Sequence, residues 1–179
     1  GDNQGYVRIF KNNSGTWEQI GSPITGEALG DNSGVVSISD DGSIVAIGAP
    51  SNDGNNGGNS GHVRIYKNNS GTWEQIGSDI DGETPGDSSG SSLSLSADGS
   101  IVAIGAYGND GNGSNTGHVR IYKNNSGTWE QIGSDIDGQF LGGAGGGARL
   151  GTSVSLSDDG TVVAIGSQGW VGYDNYTHG

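Results

Sequence analysis

Residues 61–81 read GHVRIYKNNSGTWEQIGSDID, and the same letters return unchanged at 117–137. A lightly altered copy, GYVRIFKNNSGTWEQIGSPIT, occupies 5–25. Val7, Val63 and Val119 are spaced by 56 residues, as are Trp17, Trp73 and Trp129. Each copy is followed by a second block: SISDDGSIVAIGA from Ser37, SLSADGSIVAIGA from Ser94 and SLSDDGTVVAIGS from Ser155. The chain is three copies of one unit and little else. Self-similarity at a period of this size marks solenoids, propellers or arrays, because one such unit buries its apolar faces only against its neighbours.

Inside the unit, residues 62–66 alternate, with Val63 and Ile65 set against Arg64 and Tyr66, which predicts a strand. Asn68, Asn69, Ser70 and Gly71 form a turn cluster, and residues 72–77 then supply the hairpin partner. The acidic, glycine-punctuated stretch after it reads as a loop. Residues 92–96, SLSLS, alternate strictly. Asp98-Gly99 predicts a tight type I′ turn, which needs positive φ at both central residues. Residues 100–106, SIVAIGA, are a nearly continuous apolar run, as expected of a central strand covered on both faces. No segment carries a 3.6-residue period, so no helix is expected. Four antiparallel strands per unit predict an all-β fold, a β-propeller of four-stranded blades; an unclosed stack of sheets is the alternative.

Composition sets further bounds. Thirty-eight glycines and many Asn, Asp and Ser indicate a turn-rich chain, while the regular Val, Ile and Trp blocks argue against disorder. Twenty acidic residues stand against seven basic ones, a net charge of −13, which disfavours nucleic acid and anionic membranes. Six of the seven basic residues sit at repeat-equivalent places: Arg8, Arg64, Arg120, Lys11, Lys67 and Lys123. The absence of cysteine excludes disulfide and thiol chemistry. No apolar run is long enough to span a bilayer, and none reads as a signal peptide. With no methionine, the chain is expected to be a processed product or a piece of something longer.

The pattern Gly-x-Ser-Val-x-Leu-Ser-x-Asp-Gly-x-x-Val-Ala-Ile-Gly-Ala-Pro, followed by Gly-x-Val-x-Ile-Tyr and Thr-Trp, resembles the FG-GAP repeat. That family builds the integrin α-subunit propeller and many surface proteins of bacteria and algae. The resemblance implies strands c and d of a half blade in 1–25, whole blades in 26–81 and 82–137, and strands a and b of a second half blade in 138–179. About three blades per chain fall short of the usual ring of four to eight. Two copies exchanging halves would close six blades in a homodimer; part of a larger ring is the alternative. The chain departs from the family in places. Only Ala49-Pro50 completes the GAP triplet, the FG aromatic is missing at Ser33, Ser89 and Leu150, and the DxDxDG calcium loop is absent.

Candidate sites follow. His62 and His118 share one repeat position, held by Tyr6 in the first copy, and read as structural residues of strand c. Trp17, Trp73 and Trp129 read as covers over outer strands, with a sugar site as the alternative. Asp53 and Asp110, in Asn-Asp-Gly loops, and Asp31 and Asp87, in Gly-Asp-x-Ser-Gly frames, are candidate calcium ligands. The insert QFLGGAGGGARLG at 139–151 replaces the acidic ETPGDSSG of 83–90 and brings Phe140 and Arg149. Together with Trp170, Tyr173 and Tyr176, which break the repeat, these are the candidate ligand-binding residues. Asn12, Asn68, Asn112, Asn124 and Asn175 are candidate N-glycosylation acceptors. No Gly-x-Ser-x-Gly elbow, phosphate loop or His-Glu-x-x-His motif is present. The expectation is therefore no enzyme. It is a noncatalytic extracellular or cell-surface module that binds protein or glycan through its loops in cell adhesion, and that self-associates. The alternative is a building block of a surface layer or fibre.

Overall fold

The computed structural model describes residues 3–139 and 147–168. Phe140, Trp170, Tyr173, Asn175 and Tyr176 lie outside them. Among the described residues there is no helix, hence none long and apolar enough to cross a membrane. Among the described residues the strand ladders are antiparallel, and isolated parallel bridges join Gly5 to Ser33, Gly61 to Ser89 and Gly117 to Leu150. A first sheet is ordered β5 (Val35–Ile38), β6 (Ile44–Ala49), β7 (His62–Asn69) and β8 (Thr72–Gln75), with β9 (Ile80–Asp81) also on β7. The same order recurs in β10 (Ser92–Leu95), β11 (Ile101–Ala106), β12 (His118–Asn125) and β13 (Thr128–Gln131), with β14 (Ile136–Asp137) on β12. Before them come β1 (Tyr6–Val7) paired with β4 (Ile24–Thr25), and β2 (Phe10–Asn13) paired with β3 (Thr16–Gln19). After them comes β15 (Leu150–Leu156) paired with β16 (Val163–Ser167). The fold is that of a propeller built from four-stranded antiparallel blades, as expected.

Two local readings needed correction. Ser96, Ala97, Asp98 and Gly99 make a turn closed by Gly99 N donating to Ser96 O at 2.9 Å, but only the glycine has positive φ, +68°. The turn is therefore not type I′. Asp98 Oδ1 accepts from Ser96 Oγ (2.8 Å) and Ser100 N (2.9 Å), and this bracing makes the second left-handed residue unnecessary. The second correction concerns the stretch read as an acidic loop. Ile80 and Asp81 pair with Val63 and His62, because Ile80 finds an apolar seat (6 % exposed) while Gly77, at φ +73°, turns the chain back toward β7.

The core lies between sheets. Val45 and Ile47 of β6 pack on Val7, Ile9 and Ile24 from one side, while Ala46 joins Val63, Ile65, Leu95, Val102 and Ile104 on the other. The apolar run of β6 is thus covered on both faces, each buried Val or Ile contributing about 1.5–3 kcal/mol. Gly48 lets neighbouring sheets touch through backbone, since a Cβ there would strike the carbonyl oxygen of Gly90. Repeated hydrogen bonds join one sheet to the next. Leu95 N donates to Ser37 Oγ and Leu156 N to Ser94 Oγ, both at 2.9 Å. Trp73 Nε1 donates to Ile20 O (3.0 Å) and Trp129 Nε1 to Ile76 O (2.9 Å), so these two tryptophans bolt adjacent sheets together.

Candidate functional site

His62 opens β7 opposite Ala49 and Asp81, which buries its ring to 1 % exposure. Two residues on, Arg64 shares its face. The guanidinium donates to Thr25 O of the preceding sheet at 2.9 Å and lies over the Tyr66 ring, 5.8 Å from its centroid. Glu27 arrives from the loop after β4. Asp31 shapes that loop, its Oδ2 accepting from Glu27 N (3.1 Å) and Ala28 N (2.8 Å). Glu27 is thereby divided between two partners: Oε1 lies 3.4 Å from Arg64, and Oε2 lies 3.9 Å from His62 Nδ1. Asp79, just before β9, places Oδ2 3.6 Å from the same nitrogen.

The arrangement recurs one unit later. His118 Nδ1 lies 4.0 Å from Glu83 and 3.5 Å from Asp135, and Arg120 lies 3.5 Å from Glu83. Among the described residues, these are the two groups of three His, Asp or Glu side chains whose ligand atoms converge, all within 4.8 Å of one another. Burial lowers the proton affinity of both imidazoles below the usual histidine value. Arg64 and Arg120 act in the same direction, and the facing carboxylates oppose them. Neutral imidazole is therefore favoured near pH 7, with a lone pair available for a cation. The far nitrogen, Nε2, is buried without a hydrogen-bond partner in each ring.

A cleft of about 630 Å³ opens beside the first group. Glu27, Asp31, Asp53, His62, Asp79 and Asp81 line it, so five carboxylates surround one neutral imidazole, and the buried Arg64 offsets Glu27. A three-ligand set of one nitrogen and two carboxylate oxygens suits Zn²⁺ and other first-row divalent ions and leaves coordination positions for water or substrate. Calcium, which takes 6–8 oxygens, matches the set less well.

Of the residues singled out from sequence, Asp31 and Asp53 meet in this cleft, though neither belongs to a three-ligand group. Asp53 accepts from Asn59 N (2.9 Å) and Asp110 from Asn115 N (2.6 Å), each closing its own loop. Asp87 is 1 % exposed and accepts from Glu83 N, Thr84 N and Thr84 Oγ1. Arg149 is exposed, with φ +53°. Asn12, Asn68 and Asn124 each accept from the glycine three residues on, at 2.7 Å, and so brace the hairpin turns; Asn112 is exposed. The sequence reading overlooked Glu27, Asp79, Glu83 and Asp135. A signal was present: the first copy, with Tyr6 at the histidine position, has Pro23 at the aspartate position. The residue types change together.

No family model and no curated protein sequence matches this chain. Solved structures do. A candidate 6-phosphogluconolactonase from Bacteroides uniformis superposes with a TM-score of 0.59 at 15 % identity, over 92 % of this chain and 41 % of that one. A periplasmic gluconolactonase from Pseudomonas aeruginosa gives 0.53 at 15 % identity, over 93 % and 44 %. A second candidate 6-phosphogluconolactonase, from Bacteroides fragilis, gives 0.50 at 20 % identity, over 77 % and 35 %. The chain spans less than half the length of each. At such identities the likeness establishes the propeller fold alone.

These findings overturn several expectations. FG-GAP kinship is not supported: no family model matches, and the superposing propellers are lactonases rather than integrin-type repeats. The physical reason is visible at the turns between β5 and β6 and between β10 and β11. Asp41 and Asp98 are spent on serine hydroxyls and backbone amides, where the integrin-type loop would present oxygens to calcium. The expectations of a noncatalytic adhesion module, of a surface-layer block and of no enzyme are likewise set aside, because the structural neighbours carry enzyme names.

Proposed function

We propose that this chain is part of a propeller hydrolase that opens an uncharged lactone, the cyclic ester of a sugar acid, in the acidic cleft beside β7. The observation that carries this reading is the buried, neutral His62, whose Nδ1 faces Glu27 and Asp79 at the cleft wall. Glu27, His62 and Asp79 would hold a divalent ion of the zinc class. When bound, such an ion would bring the pKa of a coordinated water down to about 7. In the net reaction one water adds to the lactone carbonyl carbon, the ring C–O bond breaks, and the ring oxygen takes a proton from that water and remains in the product as the hydroxyl of the hydroxy acid. Five carboxylates around the cleft favour an uncharged substrate over a phosphorylated one. We place the activity outside the cytoplasm; the periplasmic setting of the Pseudomonas neighbour supports that choice.

Titration at constant pH measures acid released from glucono-δ-lactone. The metal-free protein is compared with protein given Zn²⁺, Mn²⁺ or Co²⁺. The expected result is metal-dependent opening well above the buffer rate, reduced about 100-fold or more in Asp79→Asn. Buffer-rate opening under every metal sinks the reading.

A further inference from the structure

The lactone reading leaves Glu83, His118 and Asp135 without a task, and these three residues span two successive units. Glu83 follows β9 of the first sheet, whereas His118 opens β12 and Asp135 precedes β14 of the next. His118 is 1 % exposed. Among the described residues its Nε2 has no hydrogen-bond partner, and its Nδ1 faces Glu83 at 4.0 Å and Asp135 at 3.5 Å. A protonated ring bonded to a carboxylate would close to about 2.7–2.9 Å. A zinc-class ion with arms of about 2.0–2.2 Å holds tetrahedral ligands about 3.4 Å apart. The observed spacing fits an ion better than a hydrogen bond.

The remaining carboxylate oxygens are held as well. Arg120 lies 3.5 Å from Glu83 Oε1, and Gln131 Nε2 donates to Asp135 Oδ1 at 2.6 Å, so Oε2 and Oδ2 are turned to His118. Outer contacts of this kind fix ligands in their binding orientation. The junction is also braced differently from the one at His62. Asp31 accepts from Glu27 N and Ala28 N. Asp87 accepts the equivalent pair, from Glu83 N (3.1 Å) and Thr84 N (2.9 Å), and two more bonds: Thr84 Oγ1 at 2.7 Å and Asn109 Nδ2 at 3.2 Å. Asn109 lies in the loop after β11, so Asp87 ties the loop bearing Glu83 to the next sheet before any ion arrives. Ala28 has no hydroxyl to add such a bond. A ligand already held in place loses less freedom on binding.

We propose that Glu83, His118 and Asp135 hold a second divalent ion of the zinc class, a structural staple between successive sheets that binds more tightly than the ion at Glu27, His62 and Asp79. Its ligands come from both sides of one junction, so an ion there resists separation of the two sheets. The staple does not depend on the lactone chemistry; only the comparison of affinities uses the first group as a metal site.

Calorimetric titration of Zn²⁺ into chelator-stripped protein counts the ions, and with no cysteine in the chain thiols contribute nothing. Two binding events are expected, one tighter than the other by about tenfold or more. Asp135→Asn should abolish the tighter event and Asp79→Asn the weaker, with the circular dichroism of the β-sheet unchanged. Thr84→Ala gives the second loop the alanine of the first; it should weaken the tighter event about tenfold and leave the count at two. Hydrogen exchange supplies the structural readout: the first equivalent of Zn²⁺ should slow exchange in residues 82–87 ahead of 26–31. A single ion that Asp79→Asn removes overturns the proposal and leaves the lactone reading standing. Two ions of equal affinity, or first protection at 26–31, also overturn it. Two ions bound in the expected order, with lactone opening at the buffer rate under every metal, support the staple and sink the catalytic reading alone.

Discussion

His62 and His118 have lost water without gaining a hydrogen bond to Nε2, and the loss of water dominates their protonation. Their proton affinity is lowered on folding, so the unfolded chain binds more protons than the folded one below the usual histidine pKa near 6.5. Stability from these residues is complete above about pH 6.5 and is lost as pH falls through the depressed values. Thermal unfolding between pH 7 and 5 should show this decline, and replacing both histidines with Gln should flatten it. An unchanged slope would mean that Asp79, Glu27 and their equivalents already hold the rings charged. Acid should also release any bound metal, because a protonated Nδ1 no longer coordinates. These residues were legible only in part. The two histidines stand out in the repeat, but nothing local says that Glu27, from the preceding unit, faces His62.

At the scale of elements, the hairpin turns were legible in outline and misread in detail. Ser-x-Asp-Gly marks a turn in any reading, but the choice among turn types depends on bonds from Ser96 and Ser100 to Asp98, which composition does not reveal. A test separates backbone from packing. Gly71, at φ +95°, has nothing within 4 Å of a built Cβ, so Gly71→Ala should cost only the left-handed penalty of about 1–2 kcal/mol. Gly99→Ala meets Ile44 side-chain atoms at 2.8 Å as well, and should cost about 1–3 kcal/mol more. Urea midpoints decide; equal losses would show that the sheets separate freely at this turn. Strand β9 was missed altogether. Two residues, Ile80 and Asp81, carry too little pattern to announce a strand, and Val63 and His62 supply the reason for their pairing.

For the whole molecule, charge and symmetry matter most. A net charge of −13 on 179 residues means self-repulsion within the folded chain, concentrated where Glu27, Asp31, Asp53, Asp79 and Asp81 crowd one cleft. Raising sodium chloride from about 0.01 M to about 0.15 M shortens the screening length from about 30 Å to about 8 Å, and should raise the melting temperature. A larger rise with sub-millimolar Zn²⁺, at a fixed ionic strength, is expected if the two three-ligand groups take up metal. No rise beyond that of the sodium salt would remove the metal from the proposed reaction.

The sequence by itself determined the four main strands of a unit, their order and the propeller class. These follow from local alternation, turn residues and a repeat copied nearly letter for letter, all of which are properties of neighbouring residues. The family resemblance drawn from the same letters went astray, because a blade's apolar pattern is common to many propellers and describes packing rather than ancestry or chemistry. Only the tertiary structure decided which side chains of successive units meet. Glu27 reaches His62, Trp73 reaches Ile20 and Gly48 touches Gly90 because sheets stack face to face, and stacking joins residues that lie far apart along the chain.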